Sequence, residues 1–337
     1  MVLRLFLTIL LAQLAIFSAN RAEGTPGPEL SLPIECNPGK NCWVVHFVDL
    51  DPSKKIRDHR CQAFSYDGHK GTDIAVRDMS EVRRGVPVIA SAPGVVRGVR
   101  DGMRDVEVSV IGKAAVNGKE CGNGVVISHG NGWETQYCHM KKGSVVVKKG
   151  AKVKRGQKLG GVGLSGLTQF PHVHLSVRHK GKIIDPFSGD SPGPDCNQAK
   201  ASMWRHDLRN VLNISPSTIY NAGFAAKPPQ VKAVRSGLYN DKVLSKRAPA
   251  LVLWAEIYWP KQDDQLLMRI FGADGKLFFE HKSVLEKTQV RRIFYAGKKR
   301  KPLFWPEGAY RGEITLTRIG ADGKPQTFKS VRRVELK

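Results

Sequence analysis

The sequence predicts a mostly β protein with two β domains in one chain of 337 residues. Short runs rich in β-branched residues, most of them bounded by Gly or Asn-Gly, recur from Trp43 onwards and are typical of antiparallel strands joined by tight turns. Asp274-Gly275 and Asp322-Gly323 are hairpin signals of the same kind. A chain of this length can bury more than one core. We therefore expect an antiparallel β domain over 43–195 and an accessory β-sandwich over 231–337.

The individual strands follow from the same alternation of apolar runs and turn residues. In the first domain the predicted strands are Val86–Ala90, Gly94–Val96, Val106–Ile111, Gly124–Ile127, Ser144–Val147 and Val173–Val177. In the second domain they are Leu251–Trp259, Leu267–Phe271, Lys276–His281, Arg292–Tyr295, Tyr310–Ile319 and Lys329–Val334.

Two segments depart from this pattern. Ala201–Leu212 has apolar residues at helical spacing, so 196–230 is predicted to be a helical linker. Arg100–Lys119 is longer than a connection between two strands requires. It is predicted to be a strand-bearing insertion or flap.

The first 22 residues have the pattern of a secretory signal peptide. Arg4 supplies the positive start, Leu5–Phe17 the apolar stretch and Ser18–Ala22 a small-residue cleavage region. An uncleaved membrane anchor is the alternative, although the apolar run is short for a membrane span. We expect an exported protein, in the periplasm or the medium, with no transmembrane span after cleavage. Residues 23–42 are expected to be an N-terminal linker.

The formal net charge of +24 favours a polyanionic partner. Nucleic acid fits poorly, because the basic stretch Lys141–Lys158 has no interleaved aromatic residues on which bases could stack. An anionic cell envelope is the better match for an exported protein. Lys298–Lys301 in the second domain are further candidate contacts to an anionic polymer.

The six cysteines contain no C-x-x-C motif, which argues against a zinc ribbon and a thioredoxin-type site. Export favours disulfides instead. Six cysteines allow 15 connectivities, but one pair follows from local geometry. The turn at Gly130-Asn131-Gly132 folds the chain into a hairpin, which brings Cys121 and Cys138 together. We expect these two to form a disulfide.

Three short motifs in the first domain carry candidate chemistry. In Pro171-His172-Val173-His174, alternation along a strand places both imidazoles on one face, where they can share a metal centre. Asp73 offers an oxygen ligand, and His69 and His174 offer imidazole nitrogens. Two His and one carboxylate leave a fourth tetrahedral position for water, as in catalytic zinc sites. The sequence has no H-E-x-x-H motif, so the helical metalloprotease geometry is excluded.

These motifs, in this order and spacing, resemble the lysostaphin/LytM-type zinc metalloendopeptidases, which include peptidoglycan DD-endopeptidases. The resemblance covers about Tyr66 to Phe187. It rests on segments spread along that range: His69-Lys70-Gly71-Thr72-Asp73, Gly122–Gly132, Tyr137-Cys138-His139-Met140, Val153–Gly160, Gly163–Gly166 and Pro171–Leu175.

The resemblance implies a duplicated hybrid β motif, one Zn²⁺ per chain and hydrolysis of peptide crosslinks in peptidoglycan by a zinc-activated water. It places the metal ligands at His69, Asp73 and His174. His139 and His172 fall on the two catalytic His positions, which transfer protons. The family also includes members that have lost ligands and activate other wall hydrolases, but here all five residues are present.

Alternatives of other classes remain open. The chain is either the enzyme, an envelope-binding regulatory module of the same fold that activates another wall hydrolase, or a general secreted protease. The β-sandwich has an accessory role, docking the wall, an envelope protein partner or the catalytic groove.

Other candidate residues have weaker signals. A cysteine nucleophile at Cys138 is disfavoured, because its thiol should point away from His139. Tyr66 is near enough in sequence to His69 to bind an oxyanion, but a buried strand tyrosine is the simpler interpretation. The remaining histidines lack convincing partners and are interpreted as structural or surface residues: His46, His59, His129, His179, His206 and His281.

Overall fold

The computed structural model describes residues 27–195, 201–212, 217–320 and 322–337. The predicted signal peptide over 1–22, with its cleavage region, and residues 23–26 of the predicted linker lie outside these ranges. Among the described residues no helix has both the length and the apolar character needed to cross a membrane.

Strands dominate the described chain. The strands of its first half are β1 (Cys42–His46), β2 (Thr72–Val76), β3 (Pro87–Ile89), β4 (Gly94–Arg100), β5 (Asn123–Gly130), β6 (Trp133–Met140), β7 (Lys152–Val153), β8 (Lys158–Gly161), β9 (His172–His179) and β10 (Lys182–Ile184). Those of its second half are β11 (Thr218–Ala225), β12 (Val243–Leu244), β13 (Ala250–Tyr258), β14 (Gln265–Phe271), β15 (Leu277–Val284), β16 (Arg291–Lys299), β17 (Gly308–Ile319) and β18 (Pro325–Leu336). The short helices are α1 (Met79–Arg84), α2 (Val108–Ile111), α3 (His206–Leu212) and α4 (Val231–Arg235), with a 3-10 turn at Lys113–Val116.

The first domain is built on one antiparallel sheet. Its strand order is β1-β2-β9-β6-β5-β4-β7, with β10 paired to β9, and β3 and β8 form a separate two-stranded sheet. The predicted mostly β, antiparallel fold is therefore confirmed. Three central strands, β2, β9 and β6, are direct neighbours. They come from distant parts of the sequence and bring the three His-containing motifs to one region of the sheet.

The hairpin of β5 and β6 confirms the predicted pairing of Cys121 with Cys138, which form a disulfide. Asn131 at the turn has a φ of 49°, a left-handed conformation that Asn tolerates better than most residues. At the other end of the hairpin the register shifts between Asn123 and Val125. This bulge lies opposite Cys138 and His139, next to the candidate site.

The Arg100–Lys119 insertion carries no strand beyond the end of β4, so the prediction of a strand at Val106–Ile111 is wrong. The segment instead forms α2 and the 3-10 turn. The Asp105 carboxylate accepts the backbone N–H of Lys142 at 2.9 Å and that of Leu164 at 2.8 Å. These contacts fold the insertion onto neighbouring loops rather than onto a strand edge. Predicted strand Ser144–Val147 is likewise irregular.

Two segments predicted as linkers contribute to packed structure. Within 23–42, Leu30 and Ile34 are fully buried. Within 196–230, α3 is helical as expected, but β11 pairs with β13 along its whole length. Ile219, Ala222 and Phe224 of β11 are buried in the apolar core of the second domain. The second domain therefore begins before residue 231.

The second domain is a β-sandwich of two sheets. One sheet has the order β11-β13-β16 and the other β12-β18-β17-β14-β15. All six strands predicted there are present, and β11 and β12 are additional. The core between the sheets is apolar, with Phe224, Leu253, Met268 and Ile314 among its buried side chains.

Candidate active site

Strand pairing brings the candidate residues together. Asp73 on β2 lies directly opposite His174 on β9, and His172 lies opposite Ala75. His174 is also paired with Cys138 of β6, the residue before His139. His69 lies in the loop that enters β2, four residues before Asp73. All five residues predicted from the sequence therefore meet at one place.

Three of them form a compact cluster of ligand atoms. The Asp73 Oδ1 atom lies 3.1 Å from His69 Nε2 and 2.8 Å from His174 Nδ1, and these two nitrogens are 3.1 Å apart. Asp73 and His69 are each only 2% exposed. His69, Asp73 and His174 are one of two groups in the described chain with the spacing of metal ligands.

In both candidate ligand imidazoles, the ring nitrogen that faces away from Asp73 already has a hydrogen-bond partner. His69 Nδ1 donates to the Phe47 carbonyl at 2.6 Å, and His174 Nε2 lies 3.0 Å from Ser176 Oγ. Because a carbonyl only accepts, the neutral His69 ring must present its Nε2 lone pair to Asp73. A lone pair and a carboxylate oxygen at 3.1 Å repel each other unless a proton or a cation lies between them. The donor set therefore fits a divalent metal ion.

The second group consists of His139, His172 and His174, so His174 belongs to both groups. The ring centroids of His139 and His172 are 4.6 Å apart. His139 Nδ1 donates to the Ser165 carbonyl at 2.7 Å and His172 Nδ1 to the Phe170 carbonyl at 2.9 Å. Both rings thus have their Nε2 atoms left for the site, and His172 Nε2 lies 3.4 Å from Asp73 Oδ1.

The bulge in β6 gives His139 its position. Its φ is 61°, which is uncommon for a residue other than Gly and marks a backbone held by its surroundings. The His139 N–H donates to the Cys121 carbonyl at 2.8 Å, and Cys121 is bonded to Cys138 through the disulfide. The disulfide also removes Cys138 as a candidate nucleophile, as the sequence analysis expected.

Comparison with known proteins agrees with this geometry. Residues 67–186 match the profile of Peptidase family M23. This part of the chain is similar to M23 peptidase domains, and we call residues 67–186 the M23 domain. Its bounds enclose the candidate ligands His69, Asp73 and His174 together with His139 and His172.

Curated relatives of the M23 domain include peptidoglycan DD-endopeptidase ShyA of Vibrio cholerae, 35% identical over 124 residues, which is 37% of this chain and 23% of ShyA. DD-carboxypeptidase/endopeptidase Mpg of Neisseria meningitidis is 32% identical over 133 residues, 39% of this chain and 25% of Mpg. The chain thus spans about a quarter of the length of these relatives. Among solved structures, the catalytic domain of EnpA from Enterococcus faecalis has a TM-score of 0.30 and 24% identity, covering 48% of this chain and 94% of that domain.

The electrostatics of the M23 domain separate the two groups of residues. Burial alone raises the pKa of Asp73, but the surrounding imidazoles and their hydrogen bonds outweigh it and hold this pKa well below its usual range. Burial, and then the charges of His172 and His174, lower the pKa of His139 well below its ordinary value. Asp73 is therefore ionised and His139 neutral around neutral pH, which would allow Asp73 to bind a metal ion and His139 to accept a proton.

His46 is the site residue that sequence reasoning missed. No motif in the sequence gives His46 a partner, whereas in the structure its Nδ1 lies 3.0 Å from Asp73 Oδ2 and the residue is 5% exposed. The antiparallel pairing of β1 with β2 places His46 opposite Asp73. Only a prediction that β1 pairs with β2 could have identified His46. The 25-residue segment between the two strands makes that pairing unrecognisable from local sequence patterns.

Tyr66 also differs from its predicted environment. It is not a buried strand residue: it lies in the loop before His69 and is 48% exposed. Its ring centroid is 4.4 Å from that of His69. Desolvation, and then the Asp73 charge, raise the pKa of Tyr66, so the phenol stays protonated. It is thus a hydrogen-bond donor at the rim of the site.

The other histidines have structural contacts. His59 stacks on Phe187 with centroids 4.6 Å apart, and His179 stacks on Trp133 at 4.3 Å. His129 Nδ1 is 2.7 Å from the Pro93 carbonyl. His206 and His281 are exposed.

Proposed function

We propose that the chain is an exported, zinc-dependent endopeptidase that hydrolyses peptide crosslinks of bacterial peptidoglycan. One observation carries the proposal. A buried carboxylate oxygen, Asp73 Oδ1, has two imidazole nitrogens within 3.1 Å, while His139 and His172 present their Nε2 atoms beside them. This arrangement provides three ligands and two proton-transfer groups in one place.

The ligand residues would hold one zinc ion through His69 Nε2, Asp73 Oδ1 and His174 Nδ1. When bound, zinc acts as a Lewis acid that lowers the pKa of a water molecule towards neutrality and polarises a carbonyl group. The carbonyl of Phe47 and the hydroxyl of Ser176 hold the two ligand rings in the required orientation.

His139 and His172 then handle the protons of peptide hydrolysis. Each ring is fixed through Nδ1 by a backbone carbonyl, of Ser165 and Phe170 respectively, so Nε2 is the atom that exchanges a proton. A neutral imidazole accepts the proton of the attacking water and delivers a proton to the leaving amine. Fixed rings also lose little conformational freedom when the substrate binds.

Two observations support peptidoglycan as the substrate: the names of the relatives and the net charge of the chain. ShyA is named a peptidoglycan DD-endopeptidase and Mpg a DD-carboxypeptidase/endopeptidase. The net charge of +24 suits a wall polymer that carries carboxylates. Crosslinks between D-amino acids are thus the first bonds to test.

The test is digestion of purified sacculi, with the released fragments identified by mass spectrometry. We expect cleaved crosslinks from the native protein, and none after chelation of zinc or in His174→Ala. His281→Ala is the matched control, since this histidine is exposed on β15 of the second domain and should keep full activity.

Release of fragments by His174→Ala at the native rate would contradict the proposed metal site. A protein that binds zinc but releases no fragment from sacculi would instead contradict the proposal that peptidoglycan is the substrate. Casein digestion then identifies a general protease, because a general protease would cleave casein and a wall-specific enzyme would not.

A further inference from the structure

We infer that the C-terminal sandwich is part of the active-site scaffold, with His46 and Trp259 acting as positioning residues for Asp73. The inference rests on the proposed zinc site and goes beyond it, because it assigns the second domain a role in metal binding. Its basis is a continuous set of contacts from the sandwich to the ligand carboxylate.

The first contact fixes the carboxylate itself. The two oxygens of Asp73 have different partners: Oδ1 faces His69 and His174, while Oδ2 accepts from His46 Nδ1 at 3.0 Å. A carboxylate only accepts, so Nδ1 of a neutral His46 carries the proton. This hydrogen bond sets the rotation of the carboxylate and so aims Oδ1 at the other two ligands.

The second contact fixes His46. The Trp259 ring lies edge-on to the His46 ring, with centroids 5.7 Å apart and planes at 82°. Its indole Nε1 donates to the carbonyl of Val45, the residue before His46, at 2.7 Å. Trp259 is 6% exposed and also packs against Phe64. One side chain from the second half of the chain thus holds both the backbone and the ring of the residue that aims Asp73.

The third contact fixes Trp259 within the sandwich. This residue follows β13 and has a φ of 49°, a left-handed conformation that is rare for a bulky side chain. Its N–H donates to the Val290 carbonyl at 2.8 Å, and its carbonyl accepts from Ser217 Oγ and Arg318 Nη2, both at 2.9 Å. Three hydrogen bonds within the second domain therefore hold the Trp259 indole against Val45 and His46 of the first domain.

The same face of the sandwich reaches the proton-transfer side. The Arg291 guanidinium lies 5.1 Å from the centroid of Phe170 and donates to the Gln169 carbonyl at 3.3 Å. Phe170 stacks on His172 at 4.6 Å, and its carbonyl holds His172 Nδ1. Side chains of the second domain thus contact the residues that hold Asp73 and the residues that hold His172.

Variants of His46 test the first contact. His46→Leu removes the donor, and His46→Asn retains one, since the Asn amide nitrogen overlies imidazole Nδ1. We expect zinc affinity, measured by competition with a chromophoric chelator, to fall at least about tenfold in His46→Leu and to be largely rescued in His46→Asn. The absorption bands of the cobalt-loaded protein should shift in the Leu variant only.

Trp259→Leu tests the role of the sandwich, and Trp305→Leu is its matched control. Trp305 is also a buried tryptophan of the second domain, 4% exposed, and its Nε1 donates to the Ala248 carbonyl at 2.8 Å. Both variants should lower the thermal midpoint. We expect weaker zinc binding, by about tenfold, in Trp259→Leu alone. If Trp259→Leu does not fold, Trp259→Phe is used in its place. Trp259→Phe is a milder change that still removes the indole N–H.

Equal zinc affinity in the Trp259 and Trp305 variants would overturn the inference and leave the interface as packing alone. Unchanged affinity in His46→Leu would overturn the first step in the same way. Absence of zinc binding in the native chain is a different result, since it removes the proposed function itself. The native measurement comes first for this reason.

Discussion

Two buried aspartates, one in each domain, have opposite surroundings. Asp264 in the sandwich is 1% exposed and meets Arg318 in a two-point contact, Nε to Oδ1 at 2.8 Å and Nη2 to Oδ2 at 2.7 Å. Asp73 in the M23 domain is 2% exposed and has no Lys or Arg among the ion pairs of the described residues. Its partners are four imidazoles, those of His46, His69, His172 and His174.

The difference separates a carboxylate that is expected to be structural from one that is expected to bind a metal ion. A buried carboxylate needs a compensating charge, and Arg318 supplies a permanent one to Asp264. Imidazoles supply a charge only when protonated, and they give up that proton when they bind a metal, so the negative charge of Asp73 is then left for the cation. Asp264 is therefore expected to matter for folding, and Asp73 for binding and turnover.

Asp73→Asn should have the largest effect on activity. We expect loss of stoichiometric zinc and a fall in crosslink cleavage of about a thousandfold or more, because the charged ligand is gone. The thermal midpoint of the zinc-free protein should fall less than that of Asp264→Asn, since no fixed cation is left unpaired. Metal analysis, sacculus digestion and calorimetry on one preparation measure all three quantities.

A zinc-free Asp73→Asn protein that unfolds far below the native zinc-free protein would break the comparison. It would mean that the imidazole cluster stabilises the fold much as the Asp264 pair does.

His139→Ala and His172→Ala should lower turnover by about a hundredfold or more while zinc stays bound, because their rings transfer protons but do not belong to the His69, Asp73 and His174 ligand set. Zinc content and the cleavage rate are measured in parallel, with His174→Ala as the variant that loses both. Loss of zinc from His172→Ala would place this residue among the ligands instead.

The sequence predicted the residues of the site but not their support. His69, Asp73, His139, His172 and His174 each lie in a local motif whose spacing identifies it. The family resemblance implied that these residues share one zinc site. The strand order that brings them together, with β2, β9 and β6 as neighbours, is known only from the structure. The role of His46 depends on the pairing of β1 with β2 across a long irregular segment, and no local pattern encodes that pairing.

Fold predictions failed for a related reason. Val106–Ile111 is β-branched and apolar, so its composition predicted a strand. In the structure the Asp105 carboxylate binds backbone N–H groups of two other loops, and this tertiary contact decides the local conformation. β11 was missed because strand pairing with β13, rather than a strong turn signal, defines it.

Asp264→Asn tests the structural side of the comparison. Removal of this charge leaves the Arg318 guanidinium, whose side chain is 11% exposed, without its carboxylate. We expect a loss of about 3 kcal/mol in the free energy of unfolding, measured by urea denaturation of the zinc-free protein. A native free energy of unfolding would show that the pair adds nothing.

Asp185 is a third kind of buried carboxylate and gives the smallest expected effect. Its Oδ2 accepts the N–H and hydroxyl of Ser188, both at 2.9 Å, while Oδ1 has no hydrogen-bond partner in the described part of the chain. Burial raises its pKa from 3.8 to about 7. The folded state therefore holds a proton that the unfolded state releases, and the stability that this proton contributes is lost as the pH rises through about 7.

Asp185→Asn should remove this pH dependence. From about pH 6 to about pH 8 the native protein should lose about 1 kcal/mol relative to the variant, because roughly one pKa unit of the shift lies in that interval. Urea denaturation at both pH values measures the difference. A gap that is constant with pH would mean that Asp185 is ionised throughout, with its charge compensated as that of Asp264 is. Asp185 and Asp264 would then both be ionised carboxylates with a compensated charge. Asp73 would differ from them only in having no Lys or Arg beside it.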